Sequence, residues 1–111
     1  MLTLSPEERD WLDAYRLALG GQFSDLVEEI LVFGSKARGD AGPDSDLDVL
    51  VILREGDRSR KREIRHIGHG LAVLSDVVPS IMVYTLEEWA SRKRGSSPFY
   101  SAVMRDGVRV A

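Results

Sequence analysis

Two aspartates, Asp46 and Asp48, stand two positions apart at the opening of the apolar run Leu47-Asp48-Val49-Leu50-Val51-Ile52-Leu53. In a strand, side chains two apart share a face, so these carboxylates point the same way. Such a pair suits a hard, oxygen-ligated cation such as Mg²⁺ and could bridge two of them. Phosphoryl and nucleotidyl transfer use this arrangement, because cations about 3.5 to 4 Å apart offset the charge on the attacking and leaving oxygens. Upstream, Gly34-Ser35 closes another apolar run, Ile30-Leu31-Val32-Phe33. A glycine there lets the backbone approach a phosphate, and the amides of a short helix beginning near Ser35 form an anion site. Ser35 adds a hydroxyl and Arg38, one turn on, a guanidinium fork, while Gly39 lets the chain leave that helix. A triphosphate seated on Gly34 and Ser35 would reach Asp46 and Asp48 through metal.

These residues need elements to hold them. Ser5-Pro6-Glu7-Glu8 is a helix start, with Ser5 as cap and Glu8 at the capping-box offset. Trp11, Leu12, Tyr15, Ala18 and Leu19 give that helix an apolar stripe, which Gly20-Gly21 ends. A short helical turn is expected at Ser24 to Val27. Ile30 to Phe33 and Leu47 to Leu53 read as buried strands and antiparallel neighbours, with turn chemistry at Pro43-Asp44-Ser45-Asp46 between them. Gly56-Asp57 opens a longer helix in which Ile64, Ile67, Leu71 and Leu74 share a face, leaving its arginine-rich first half to solvent. Ile81 to Tyr84 is a third strand, and Thr85-Leu86-Glu87-Glu88 repeats the capping box before Trp89. Arg92 to Ser97 reads as a polar loop, Phe99 to Arg105 as a last short helix, and Val108-Arg109-Val110 as a terminal strand. Trp11, Trp89, Phe99 and Tyr100 fall at helical positions that suit core packing.

Composition narrows the field. The chain has 111 residues, 43% hydrophobic and 30% charged, which excludes disordered, collagen-like and low-complexity polypeptides and fits one domain over residues 1–111. Area scaling puts the folded surface at about 6,100 Å², so roughly two thirds of the unfolded surface can be buried. No apolar run reaches the ~18 residues of a membrane span, and the acidic N-terminus is unlike a signal peptide; a cytoplasmic protein without membrane contact is expected. The absence of cysteine removes disulfides, thiolate zinc sites and cysteine nucleophiles. A net charge of −3 makes the whole molecule no trap for nucleic acid, yet Arg54 to His66 carries six bases against three acids, a local basic face.

The motif Gly34-Ser35-x-Ala37-Arg38-Gly39, followed by Ser45-Asp46-x-Asp48-x-x-Val51, resembles the signature of the DNA polymerase β-like nucleotidyltransferase superfamily. More narrowly it is similar to that of the minimal nucleotidyltransferases (MNT), single domains of about this length. The resemblance covers residues 28–54 closely and 80–105 loosely. It implies an α/β (α+β) nucleotidyltransferase fold, a small mixed sheet of three to four strands flanked by helices. It also implies a metal-dependent enzyme that moves a nucleoside monophosphate from an NTP, with ATP expected, to a hydroxyl. Asp46 and Asp48 would be the catalytic, Mg²⁺-binding pair, and Gly34, Ser35, Arg38 and Gly39 would hold the nucleotide. Proteins of this kind are commonly paired with a helical HEPN protein, acting as the antitoxin that nucleotidylates the toxin. One feature departs from the pattern. The superfamily usually carries a third carboxylate on its third strand, and here the positions before Thr85 are Ser80 and Met82, while Asp76 precedes Pro79.

Other readings stay open. A catalytically weak or inactive module of the same fold could neutralise or scaffold a partner by occupancy, and a regulatory nucleotide sensor would bind NTP without transfer. His66 and His69 read as surface or packing histidines, lacking a third ligand. Arg58, Arg60, Lys61, Arg62 and Arg65 form either a solvated helix face or a docking surface for an acidic partner or RNA; aromatic residues that would stack bases are missing there. Glu87 and Glu88 fit helix N-terminal charges better than catalytic acids.

Overall fold

The computed structural model describes residues 2–42 and 44–111; of the expected turn, Pro43 lies outside the described residues. The helix α1 (Pro6–Gln22) starts as its sequence dictates. Ser5 accepts from the Glu8 amide and the Glu8 carboxylate accepts from the Ser5 amide, closing the capping box. Then come β1 (Val27–Phe33), the single-turn helix α2 (Gly34–Arg38), β2 (Leu47–Leu53), α3 (Arg58–Ala72), β3 (Pro79–Thr85), α4 (Leu86–Arg94), α5 (Pro98–Asp106) and the two-residue β4 (Val108–Arg109). The fold is mixed α+β: four strands in the order β3-β2-β1-β4, with β1 antiparallel to β2 and β4, and β2 parallel to β3. The solvent-accessible surface is 6607 Å², close to the area expected from chain length.

Strand periodicity sorts the core into two layers. Val32, Val49, Val51 and Val83 face α1 and α3, whereas Leu31, Leu50, Ile52 and Met82 face α4 and α5. Because β2 is covered on both sides, every residue of it except Asp48 is buried, which is why it reads as a continuous apolar run. Helices α1 and α3 are clamped by two buried hydrogen bonds at 2.8 Å: Trp11 Nε1 donates to Gly68 O and Tyr15 Oη to Ile64 O. Gly68 is the point of closest approach. A Cβ there would overlap Ile81 Cδ1 and come within 3.1 Å of Tyr15 and 3.2 Å of Trp11. Gly68→Ala is therefore expected to lower stability by about 1–3 kcal/mol, read from the urea midpoint at unchanged m-value.

Several boundaries differ from the expectation. The first helix passes through Gly20 and Gly21, which face open space, and stops at Phe23, whose ring is buried and whose amide donates to Leu19 O at 2.8 Å. The residues Ser24 to Leu26 form a turn rather than a helical turn, and β1 begins at Val27, paired with Leu53 across an irregular register. Residues Arg92 to Arg94 belong to α4, not to a loop; basic side chains at a helix C-terminus oppose its dipole favourably. Leu71 is exposed and Leu74, past the end of α3, fully so; the apolar face of the helix contracts to Ile64, Ile67 and the Gly68 contact. Trp89, Phe99 and Tyr100 are half-buried rather than core. They pack on one another, with Trp89 to Phe99 centroids at 5.8 Å and Trp89 to Tyr100 at 4.9 Å, because two nine-residue helices only partly roof that face of the sheet.

Candidate active site

The motif residues meet where β1 ends and β2 begins. Antiparallel register sets Asp48 opposite Phe33, so the residue following Phe33 is at the level of the Asp48 side chain. That residue is Gly34, with φ +72°, and a Cβ built on it would overlap Asp48 Oδ2 and lie 3.2 Å from its Cγ. Glycine is thus required twice, for the left-handed backbone and for the space the carboxylate fills. The carboxylate rests directly on the turn. Beyond Gly34 the chain makes the single turn of α2, and Gly39, at φ 86°, ends it with its amide donating to Ser35 O at 2.9 Å. Gly39 lets the chain leave α2, as its type suggested.

Asp46 is exposed just before β2 and Asp48 is partly buried within it. Burial is the main force pushing the Asp48 carboxyl above the ordinary carboxylate range, the negative charge of Asp46 adds to it, and Arg38 pulls the other way. Asp46 and the Arg38 guanidinium thus both act on the Asp48 carboxyl, while Asp46 itself precedes β2, so strand alternation does not extend to it. Arg38, on α2, makes ion pairs with Asp40 at 3.2 Å and with Asp106 of α5 at 3.8 Å. The α5 contact had no signal in sequence, because it depends on the last helix folding back onto α2. Ser35 is half-buried at the head of α2.

The residues present fit a divalent cation. Two mutually repelling carboxylates, one of them partly buried beside a glycine turn, are relieved by positive charge between them. Among the described residues no cluster of three His, Cys, Asp or Glu side chains could hold a metal. Mg²⁺ is commonly held by one or two carboxylates, with waters and substrate phosphates filling its octahedron, so two acids suffice for binding. The third position is visible. Ser80 on β3 pairs in register with Asp48, and side chains in register on adjacent strands share a face. A hydroxyl stands where a third acid would flank the pair, and Asp76 lies outside β3.

Elsewhere, the basic face is partly committed within the fold. Arg60 pairs with Glu63 at 3.5 Å and lies over the Phe23 ring, and Lys61 reaches Glu88 at 2.7 Å. That bond and the Thr85 cap hold the Glu88 carboxyl below its ordinary range, in keeping with a helix-capping role. A hollow of about 600 Å³ lined by Phe23, Gly56 and Arg60 lies at the far end of β2 and contains none of the motif residues.

Comparison with known proteins agrees with this geometry. Residues 14–97 match the family model described as "Nucleotidyltransferase domain". The chain is 30% identical over 87 residues to "Putative protein adenylyltransferase MJ0141" of Methanocaldococcus jannaschii, an alignment spanning 78% of this chain and 81% of the relative. Two solved structures share the fold. One, described as "a putative nucleotidyltransferase from Sulfolobus solfataricus", has a TM-score of 0.50 and 18% identity, covering 98% of this chain and 89% of that one. The other, a mutant of the toxin-antitoxin MntA-HpeT, has a TM-score of 0.57 and 20% identity, covering 90% and 71%.

Proposed function

The chain belongs to the nucleotidyltransferase-domain family and is a nucleotidyltransferase, and from that premise we propose that it transfers a nucleoside monophosphate from an NTP, ATP in our reading, to a hydroxyl on a partner protein. The observation that carries the site assignment is the Asp48 carboxylate seated against Gly34, with Asp46 beside it. Asp46 and Asp48 hold Mg²⁺. Gly34 and Ser35 receive the phosphates, Arg38 draws on their negative charge, and Gly39 fixes the length of the helix that presents them. When bound, the metal offsets charge on the triphosphate oxygens. The acceptor oxygen bonds to the α-phosphorus, the bond from that phosphorus to its bridging oxygen breaks, and pyrophosphate leaves. The hydroxyl proton passes to water, since the position beside Asp48 is Ser80.

A protein acceptor is supported by the relative from Methanocaldococcus jannaschii, a putative protein adenylyltransferase, and by the fold neighbour drawn from a toxin-antitoxin pair. In our reading the partner is a helical HEPN-type toxin and this chain its antitoxin. A second reading has one specific observation behind it: with Ser80 in place of an acid, the module neutralises its partner by occupancy alone. Incubation with α-labelled ATP, Mg²⁺ and a helical HEPN-type partner separates the two. Label is expected on the partner in Mg²⁺ and at background in EDTA, with tight ATP binding likewise lost. Equal masking of the partner by the wild type and by Asp46→Asn, with no label transferred, would establish occupancy instead.

A further inference from the structure

The segment joining α3 to β3 exposes apolar side chains that the nucleotide site does not use. Val73, Leu74 and Val78 are 74%, 100% and 61% exposed, and Leu71 on the last turn of α3 is 41% exposed. Four large apolar side chains exposed within eight residues are more than the singly scattered ones that need no explanation. The segment has a fixed shape: Val77 is buried, and the Ser75 hydroxyl donates to Ala72 O at 3.0 Å while accepting from the Val77 amide at 3.1 Å. It is also tied to the catalytic strand. Val78 O accepts from the amide of Leu47, the residue between Asp46 and Asp48, at 3.0 Å.

Charge identifies the occupant. Beside Val78 lies a hollow of about 350 Å³ that runs to Ser45, one residue from Asp46. Among the described residues its one base is Lys36, which is held by Glu8 at 3.0 Å. The acids Glu7, Asp44 and Asp76 also line it and make no ion pair among the described residues. An anionic lipid surface or RNA would be repelled, whereas a polypeptide carrying lysine or arginine between apolar side chains is complementary in both respects. We infer that the exposed Leu74 and Val78, with the acidic hollow that Val78 lines, form the docking surface for the acceptor protein, seating a basic, apolar segment that enters the site around the end of the sheet. This inference rests on the transferase reading only for the word acceptor; the docking itself is measurable without turnover.

The probe is a short peptide alternating lysine and leucine about a central tyrosine, compared with counterparts carrying glutamate for lysine or serine for leucine. Fluorescence anisotropy is expected to show at least tenfold tighter binding of the lysine-leucine peptide than of either counterpart. Leu74→Ser and Asp76→Lys, both at exposed positions, are each expected to weaken that binding at least fivefold. Equal binding of the three peptides, or unaltered binding by both variants, overturns the proposal. So does a dimer in sedimentation velocity that Leu74→Ser dissociates, because the surface would then serve a second copy of the chain. If the preference holds while the partner protein takes no label in Mg²⁺, docking stands and transfer to protein fails; label on the peptide supports both.

Discussion

Asp48→Asn is expected to lower nucleotidyl transfer by about 10³-fold while raising the thermal midpoint of the metal-free protein. The loss follows from removing one of two carboxylates around which the cation and triphosphate assemble; a 10³-fold decrease corresponds to about 4 kcal/mol of transition-state stabilisation. The gain in stability follows from the same side chain. Burial and Asp46 raise the folded-state pKa of Asp48 above its unfolded value, so the folded form holds its proton more tightly. As pH rises through the window between the two values, the unfolded state ionises first and stability falls; the penalty is complete above the folded pKa. Asparagine, close in shape and uncharged, does not incur it. In EDTA at neutral pH, calorimetry should place the variant a few degrees above the parent, and the difference should close at a pH low enough to protonate Asp48. A lower midpoint for the variant would mean that the carboxylate is structural rather than held for a cation.

Gly34→Ala carries the second large effect. It forces a methyl group into the position of Asp48 Oδ2 and a side chain onto a backbone at φ +72°, and the two costs together amount to roughly 1–3 kcal/mol of stability. The carboxylate must also move. Displacement of a reacting group by about 1 Å commonly costs on the order of 10²-fold in rate, so transfer should fall by that factor even where the variant remains folded. Because the clash is with a named partner, the effects should not add. In a Gly34→Ala, Asp48→Ala double variant the methyl has room, and the stability cost of the glycine substitution should shrink toward its backbone part. A double-mutant cycle by urea denaturation measures that coupling; strict additivity would place the two residues out of contact.

The site was legible because its signal is local. Gly34-Ser35 and Asp46-x-Asp48 are separated by one short helix and a loop, and β2 runs over Leu47 to Leu53 as the apolar pattern indicated. The lack of a third acid was equally readable, since it concerns what stands at Ser80 and Met82. What escaped depends on distant neighbours. Leu71 and Leu74 continue a helical stripe, and only the assembled fold reveals that α3 meets the sheet through Ile64, Ile67 and Gly68. Val27-Glu28-Glu29 carries too much charge to announce a strand; it is one because β2 pairs with Val27 and Glu29 across the irregularity at Glu28. Arg92-Lys93-Arg94 was read as a loop from polarity, although those types are good helix formers. The pairing of Arg38 with Asp106 joins residues far apart in the chain, and no periodicity could report it.

The two halves of the site differ in how firmly they are mounted. Asp48 lies within a strand hydrogen-bonded on both flanks and covered on both faces, so thermal motion reaching it is that of the sheet as a whole, whereas Asp46 stands exposed just before that strand. The amides proposed to receive phosphate belong to a five-residue helix, too short to be stable by itself and able to open without disturbing the sheet. Ordering that single turn around a ligand would draw its entropic cost from one wall of the proposed site, which would leave the Asp48 side of the cation's seat formed in advance and make the phosphate's seat the adjustable one.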